Sequence, residues 1–242
     1  MLVCIDPGHA QSTAGKRSFD GSLREYEFNR VVALWLKYHL ERHGVKTIYS
    51  CDVNTTKDIS LTERCRTANN AKADLFISIH ANAYGATWNS ANGWEIFHHK
   101  NSTKGKRLAE AIHKAAVPVT KNNVRTLQFL DLTDRGIKTA DFTVLTKTSM
   151  PSVLIEHGFY TNTEECAKLK SIEFRKKCAI ADAKGILNYL GIAWKEDTAE
   201  TEINNEIAIL KNKVGLTDET IKYLQTYKYG TELIHKIAKA VK

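Results

Sequence analysis

Several short, almost uninterrupted apolar runs constrain this chain most. LVCIDPGH runs from Leu2 to His9, LFISIH ends at His80, and SVLIE ends at Glu156. Each is the length of a strand and too short for a buried helix. The near-continuous run from Asp74 to Ile79 argues for burial on both faces, which is how strands of a covered parallel sheet read. Between the runs lie segments of helical period. From Glu25 to roughly Arg42, Val31, Val32, Leu34, Leu36 and Leu40 are apolar and Gly44 stands as the stop. Leu61 to Ala71, Ser102 to Ala116 and Ile172 to Leu190 read as further helices, and Lys46 to Ser50, Gly93 to His98 and Phe142 to Leu145 as further strands. Alternation of this kind predicts an α/β domain, a mostly parallel twisted sheet flanked by helices.

The apolar runs stop at residues that carry chemistry. His9, His80 and Glu156 close three of them, and Glu25 opens the helix after the first. If the runs are neighbouring parallel strands, their C-terminal ends share one edge, where open α/β sheets place their sites. Two imidazoles and one carboxylate form a common ligand set for a catalytic zinc that leaves its fourth position to water, and a further glutamate is the usual base. Taken singly, each residue has a plainer reading. His9 follows the turn-forming Asp6-Pro7-Gly8, His80 suits a hydrogen-bonded core histidine, and Glu25 suits the N-terminal dipole of a helix. Glu156 resists such a reading, because a carboxylate closing Val153-Leu154-Ile155 is costly unless it pairs, binds metal or acts as a base. One metal site accounts for all four together.

Other groups rank lower. His39 and His43 are four apart but lie at a helix C-terminus, where the dipole favours histidine. His98 and His99 fall on opposite faces of a strand, and His157 is expected to point away from Glu156. The chain lacks HExxH, GxSxG, a P-loop and an EF-hand loop, and no spacing supports a serine or cysteine nucleophile.

Composition sets the outer limits. The chain has 242 residues and a formal net charge of +8. Residues 195–242 hold as many acidic as basic residues, so the whole surplus falls in residues 1–194. A surplus of that size suits an anionic polymer. No zinc-finger spacing, aromatic-rich RNA-binding signature or long basic block accompanies it, so nucleic acid is not the expected partner. The five cysteines form no CxxC pair and are expected as reduced thiols. No apolar run approaches the ~18 residues of a membrane span. The start of the chain shows none of the parts of a secretory signal.

After Leu190 the pattern changes. A polar linker is expected over residues 193–202, followed by a small all-helical appendage over 203–242. In it Ile203, Ile207, Leu210 and Val214 keep helical spacing, two further apolar stripes follow, and Thr217 and Thr231 stand as N-caps. About 40 residues seldom hold a core unaided, so the stripes are expected to dock on the first domain, to self-associate into a homo-oligomer or to bind a partner.

Five stretches carry a family resemblance: Ile5 to His9, Glu25 with Asn29, Leu61 to Arg64 with Ala68-Asn69, FISIHANA from Phe76 to Ala83, and VLIEHGFYTN from Val153 to Asn162. In order and spacing they resemble the zinc-dependent N-acetylmuramoyl-L-alanine amidases of bacterial autolysins and phage endolysins, over a catalytic domain expected at residues 1–192. The resemblance implies a Zn2+ cofactor bound by His9, Glu25 and His80, with Glu156 as the catalytic glutamate. Glu27 is the fallback ligand, but the Glu-x-x-x-Asn spacing selects Glu25. It implies hydrolysis of the amide between N-acetylmuramic acid and L-alanine in peptidoglycan, with anionic wall polymers as a further partner. Together with the start of the chain it leads to the expectation of a protein held in the host cytoplasm before lysis and acting on the wall afterwards. Another zinc peptidoglycan hydrolase, a carboxypeptidase or deacetylase, would keep the metal and change the bond, and a non-catalytic wall-binding protein would lack a site residue. Two departures from the family pattern, Ala10 after the first histidine and the Ser12 to Ser22 loop, leave the shape of the substrate groove open.

Overall fold

The computed structural model describes residues 1–116, 126–127, 130–196, 203, 206–207, 209–226 and 230–241. The chain forms two compact units, Met1–Trp194 and Lys195–Lys242.

The first unit is built on one mixed sheet. Its strands are Leu2–Pro7 (β1), Lys46–Tyr49 (β2), Leu75–Asn82 (β3), Trp94–His98 (β4), Thr126–Leu127 (β5), Leu132–Thr139 (β6) and Ser152–Phe159 (β7). They lie in the order β2-β1-β3-β7-β4-β6-β5. The first four strands in that order run parallel, β4 runs antiparallel to β7, β6 parallel to β4, and β5 antiparallel to β6. The three runs singled out in the sequence are therefore neighbours in the middle of the sheet.

Alternation along the strands sends their side chains into two layers. Val3, Ile5, Ile77, Ile79, Val153, Ile155, Trp94 and Ile96 face a large core shared with Glu25–Arg42 (α1), Thr103–Ala116 (α3) and Ile172–Tyr189 (α6). Cys4, Phe76, Leu154 and Phe97 face a smaller cluster under Leu61–Asn70 (α2) and Thr143–Thr146 (α4). Burial of these chains, at roughly 1.5–3 kcal/mol each, supplies the main favourable contribution to folding. By the same alternation Asp6, His80, Glu95 and Glu156 belong to the second face, which the shorter helices leave room to reach.

The expected strand at Phe142–Leu145 is instead the single helical turn α4: Phe142 stays extended as its N-cap and accepts from Leu145 and Thr146. A further helix, Thr163–Lys170 (α5), follows β7; β5, β6 and α5 were not expected. In the C-terminal unit, a wide turn Leu210–Val214 precedes helices Asp218–Thr226 (α7) and Gly230–Ala240 (α8) around Ile207, Leu210, Ile221 and Ile234. Thr217 caps α7, with Thr220 donating to its hydroxyl, but α8 starts at Gly230, which puts Thr231 inside its first turn. The expected linker and first tail helix lie partly outside the described residues.

Candidate metal centre

The cluster is assembled from the end of β1, the start of α1 and the upper part of β3. Beyond Pro7 the chain must turn sharply, and His9 does so with a φ of 62°, a left-handed conformation that few non-glycine residues adopt. Gly8 permits a close approach: a Cβ there would lie 2.2 Å from Cε1 of His80. A buried ion pair pins this turn. Arg64 of α2 donates to Asp6 Oδ1 at 2.9 Å, to the carbonyl of Pro7 at 2.7 Å and to that of His9 at 3.3 Å. Asp6 also accepts from the hydroxyls of Ser50 and Ser78. Burial opposes ionisation of Asp6, but the Arg64 charge and these hydrogen bonds outweigh it and hold its carboxyl below the usual range.

Glu25 is the first residue of α1 and 1 % exposed. Asn29, one turn on, donates to the carbonyl of Gly8 at 2.9 Å and to Glu25 Oε1 at 3.3 Å, so the Glu-x-x-x-Asn spacing joins the helix to the turn that carries His9. Glu25 Oε1 lies 2.9 Å from His80 Nδ1, and Oε2 lies 3.3 Å from His9 Nε2. The two imidazoles meet edge to face at 5.0 Å. One ligand atom from each of His9, Glu25 and His80 lies within 4.8 Å of the others, a grouping able to hold a metal ion. Burial resists the Glu25 charge, but hydrogen bonds and charge from His80 and His9 overcome it, and its pKa is depressed. Apart from the His9 contact at 3.3 Å, Oε2 is buried with no well-formed hydrogen bond, a demand that a cation at this point would answer. Two imidazole nitrogens and one carboxylate oxygen suit a borderline ion such as zinc. A cleft of about 340 Å³ opens beside the cluster, lined in part by His9, His80, Asp58 and Leu61.

Glu156 pairs with His80 across β3 and β7 and shares its face. β7 continues beyond it to Phe159, so Glu156 sits within the strand rather than closing it. Its Oε2 is buried without a partner. Burial, followed by the negative charges of Glu25 and Glu95, pushes its pKa well above the ordinary carboxylate value. A carboxylate shifted in this direction takes up and holds a proton more readily than an ordinary one, as a general base requires.

The remaining histidines stay out of the cluster. His157 faces the other side, fully buried, with Nε2 2.9 Å from Asp182 on α6 and Nδ1 3.2 Å from the carbonyl of His80, which it helps to place. His39 and His43 pack against Trp194. Asn82 donates to Glu95 at 2.7 Å. Sequence reasoning overlooked Glu95, Arg135, Lys138 and the part played by Asp6. The signal for Glu95 was the one that drew attention to Glu156: a carboxylate inside an apolar strand, WEIFH.

Comparison with known proteins places this geometry. Residues 3–188 match the N-acetylmuramoyl-L-alanine amidase family, and the chain belongs to that family. It is 36% identical to N-acetylmuramoyl-L-alanine amidase LytC of Bacillus subtilis over 189 residues, 77% of this chain and 35% of that relative. It is 32% identical to the endolysin of Bacillus phage SPP1 over 205 residues, 80% of this chain and 68% of the endolysin. Among solved structures, the catalytic domain of the amidase CwlV from Bacillus (Paenibacillus) polymyxa var. colistinus superposes with a TM-score of 0.69 at 30% identity, covering 79% of this chain and 99% of that domain. The chain thus spans about a third of the length of the Bacillus subtilis relative and nearly all of an isolated catalytic domain.

Proposed function

We propose that the Met1–Trp194 unit is a zinc-dependent N-acetylmuramoyl-L-alanine amidase that cuts the amide between N-acetylmuramic acid and L-alanine in peptidoglycan. The observation that carries the reading is the convergence of His9, Glu25 and His80, three residues from separate stretches of chain, beside a partnerless carboxylate of raised pKa. His9, Glu25 and His80 would hold the metal, with Asn29 and the Arg64–Asp6 pair fixing the turn that carries His9. When bound, zinc supplies a Lewis acid for the amide carbonyl and lowers the pKa of its water from ~15.7 to ~7.

The protein's own part falls to Glu156. As a carboxylate it takes the proton of the attacking water at Oε2, and as a carboxylic acid it returns that proton to the departing amine of L-alanine. Proton transfer of this kind contributes about a hundred- to ten-thousandfold in rate. The cleft beside His9 and His80 gives the polymer its approach. The surplus of positive charge in residues 1–194 would draw the unit to walls rich in anionic polymers. The wall is then the place of action, in the manner of an autolysin or of a phage endolysin kept in the host cytoplasm until lysis. No helix among the described residues is long and apolar enough to cross a membrane. The Lys195–Lys242 unit would serve wall targeting or self-association.

Glu156→Gln tests the assignment. Zinc content should stay near one ion per chain while release of new amino-terminal alanine from purified walls falls at least about a hundredfold. Retained release would reject Glu156 as the base. Absence of new alanine termini with the native chain, alongside other wall products, would replace the amidase by another hydrolase.

A further inference from the structure

Beyond Glu156, the sheet carries a second built cluster that the reaction just described does not use. His80 on β3 pairs with Glu156 on β7, and Glu156 with Glu95 on β4. Paired residues of neighbouring strands project from the same face, so the three form a row across the sheet leading away from the metal ligands. Glu95 is 3 % exposed yet ionised: burial opposes its charge, but hydrogen bonds from Lys138 and Arg135 and their charges hold its pKa low. Two cations share this one carboxylate, and their side chains stay 35% and 38% exposed.

Arg135 is held as a rigid donor. The pairing of β4 with β6 shifts register between Trp94 and Ile96, opposite the stretch that holds Arg135. Such bulges re-aim side chains beside sites. Asp134 fixes the bulge by accepting from the Gly136 amide at 2.8 Å and from His113 at 3.0 Å. Gly93, at φ 110°, leaves room for the arginine stem, since a Cβ there would lie 2.8 Å from its Cγ. Nε donates to Glu95 at 2.8 Å, Nη1 to the Asn92 carbonyl at 3.3 Å, and the guanidinium lies 5.0 Å from the Phe159 ring. Among the described residues Nη2 has no protein acceptor. A guanidinium pinned on one edge and open on the other is prepared for a carboxylate.

Resting on the amidase reading, we propose that Arg135, backed by Lys138, binds a free carboxylate carried by the second residue of the departing peptide and so sets substrate specificity. Reach supports the choice. One strand spacing plus one hydrogen bond puts the guanidinium roughly 8 Å from Glu156. Two residues of extended chain, about 7 Å, separate the cut nitrogen from that carboxylate. Glu156 serves the departing amine, so the peptide leaves on the side of the row where Glu95 and the cations stand.

The test uses the full chain loaded with zinc and two soluble muramyl peptides that differ only in a carboxylate or a carboxamide at the second stem residue. The native protein should prefer the carboxylate by about tenfold in kcat/KM, chiefly through KM. In Arg135→Gln the preference should fall to about one, a ratio that does not depend on how much of the variant folds. Equal cleavage of both peptides by the native protein, or a preference that persists in Arg135→Gln, overturns this inference and leaves the amidase reading standing. Failure to cleave either peptide overturns both.

Discussion

At the scale of single residues, the groups that place the cluster matter as much as those within it. Arg64 touches neither imidazole, yet it holds the carbonyls of Pro7 and His9 and neutralises buried Asp6. Arg64→Met would leave Asp6 charged and buried without its partner, at a cost of about 3–5 kcal/mol. In a unit of this size that lowers the unfolding midpoint by on the order of 10 °C, and zinc affinity should fall with it; thermal unfolding and metal competition read the two effects. An unchanged midpoint would show that the pair contributes nothing. The sign of the pH dependence follows from the depressed pKa of Asp6. Its contribution is fully present above the unfolded value of about 3.9 and is lost as pH falls through the folded value. Native unfolding should therefore steepen below about pH 4, whereas Asp6→Asn should flatten that limb. Part of the candidate site was legible in the sequence because His9, His80 and Glu156 interrupt apolar runs, and interruption is visible in one dimension. The Arg64–Asp6 pair was not, since no periodicity announces that a surface-type residue on a short helix will turn inward.

At the scale of elements, the continuous apolar runs of β1, β3 and β7 declared themselves, β2 and β4 were legible as well, and β5 and β6 were not. β1, β3 and β7 are central and covered on both faces. β6 reads LTDRGIKT, with two apolar side chains, and it is a strand because β4 pairs with it and because its bulge serves Glu95. FTVL at Phe142–Leu145 has β-branched character, but its apolar side chains pack as one helical turn against α2, and tertiary context decides the outcome. α5 did carry a signal that was passed over, the Asn162 cap accepting from Glu164 and Glu165. The packing of α3 on α6 depends on one small residue. A Cβ on Gly185 would lie 2.3 Å from the Ile112 Cα, which is backbone and cannot rotate away. Gly185→Ala gains about 1 kcal/mol of helix propensity. Forcing the helices apart should exceed that gain, for a net loss of about 1–2 kcal/mol. Denaturant unfolding should show a lower midpoint, and a variant more stable than the native chain would mean that the helices can separate freely.

At the scale of the whole molecule, charge is distributed as unevenly as chemistry. The Lys195–Lys242 unit holds equal numbers of acidic and basic residues, and the Met1–Trp194 unit holds the entire surplus of eight positive charges. Attraction of that kind is long-ranged at low salt and fades as the screening length falls from about 10 Å at 0.1 M to about 3 Å at 1 M. Binding to walls that carry anionic phosphate polymers should weaken steeply over that range, while cleavage of a small soluble muramyl peptide should change far less. Stripping the polymers from the walls should remove most of the salt dependence. A chain ending at Trp194 separates the roles of the two units. If the charge of the first unit drives wall attraction, the shortened chain keeps the same salt dependence, and any fall in affinity is a uniform factor owed to lost targeting or lost self-association. Light scattering of the two chains distinguishes those, because only self-association changes the mass per particle by more than the removed residues. A salt dependence that vanishes with the C-terminal unit would place the wall contact there and refute the electrostatic role of the first.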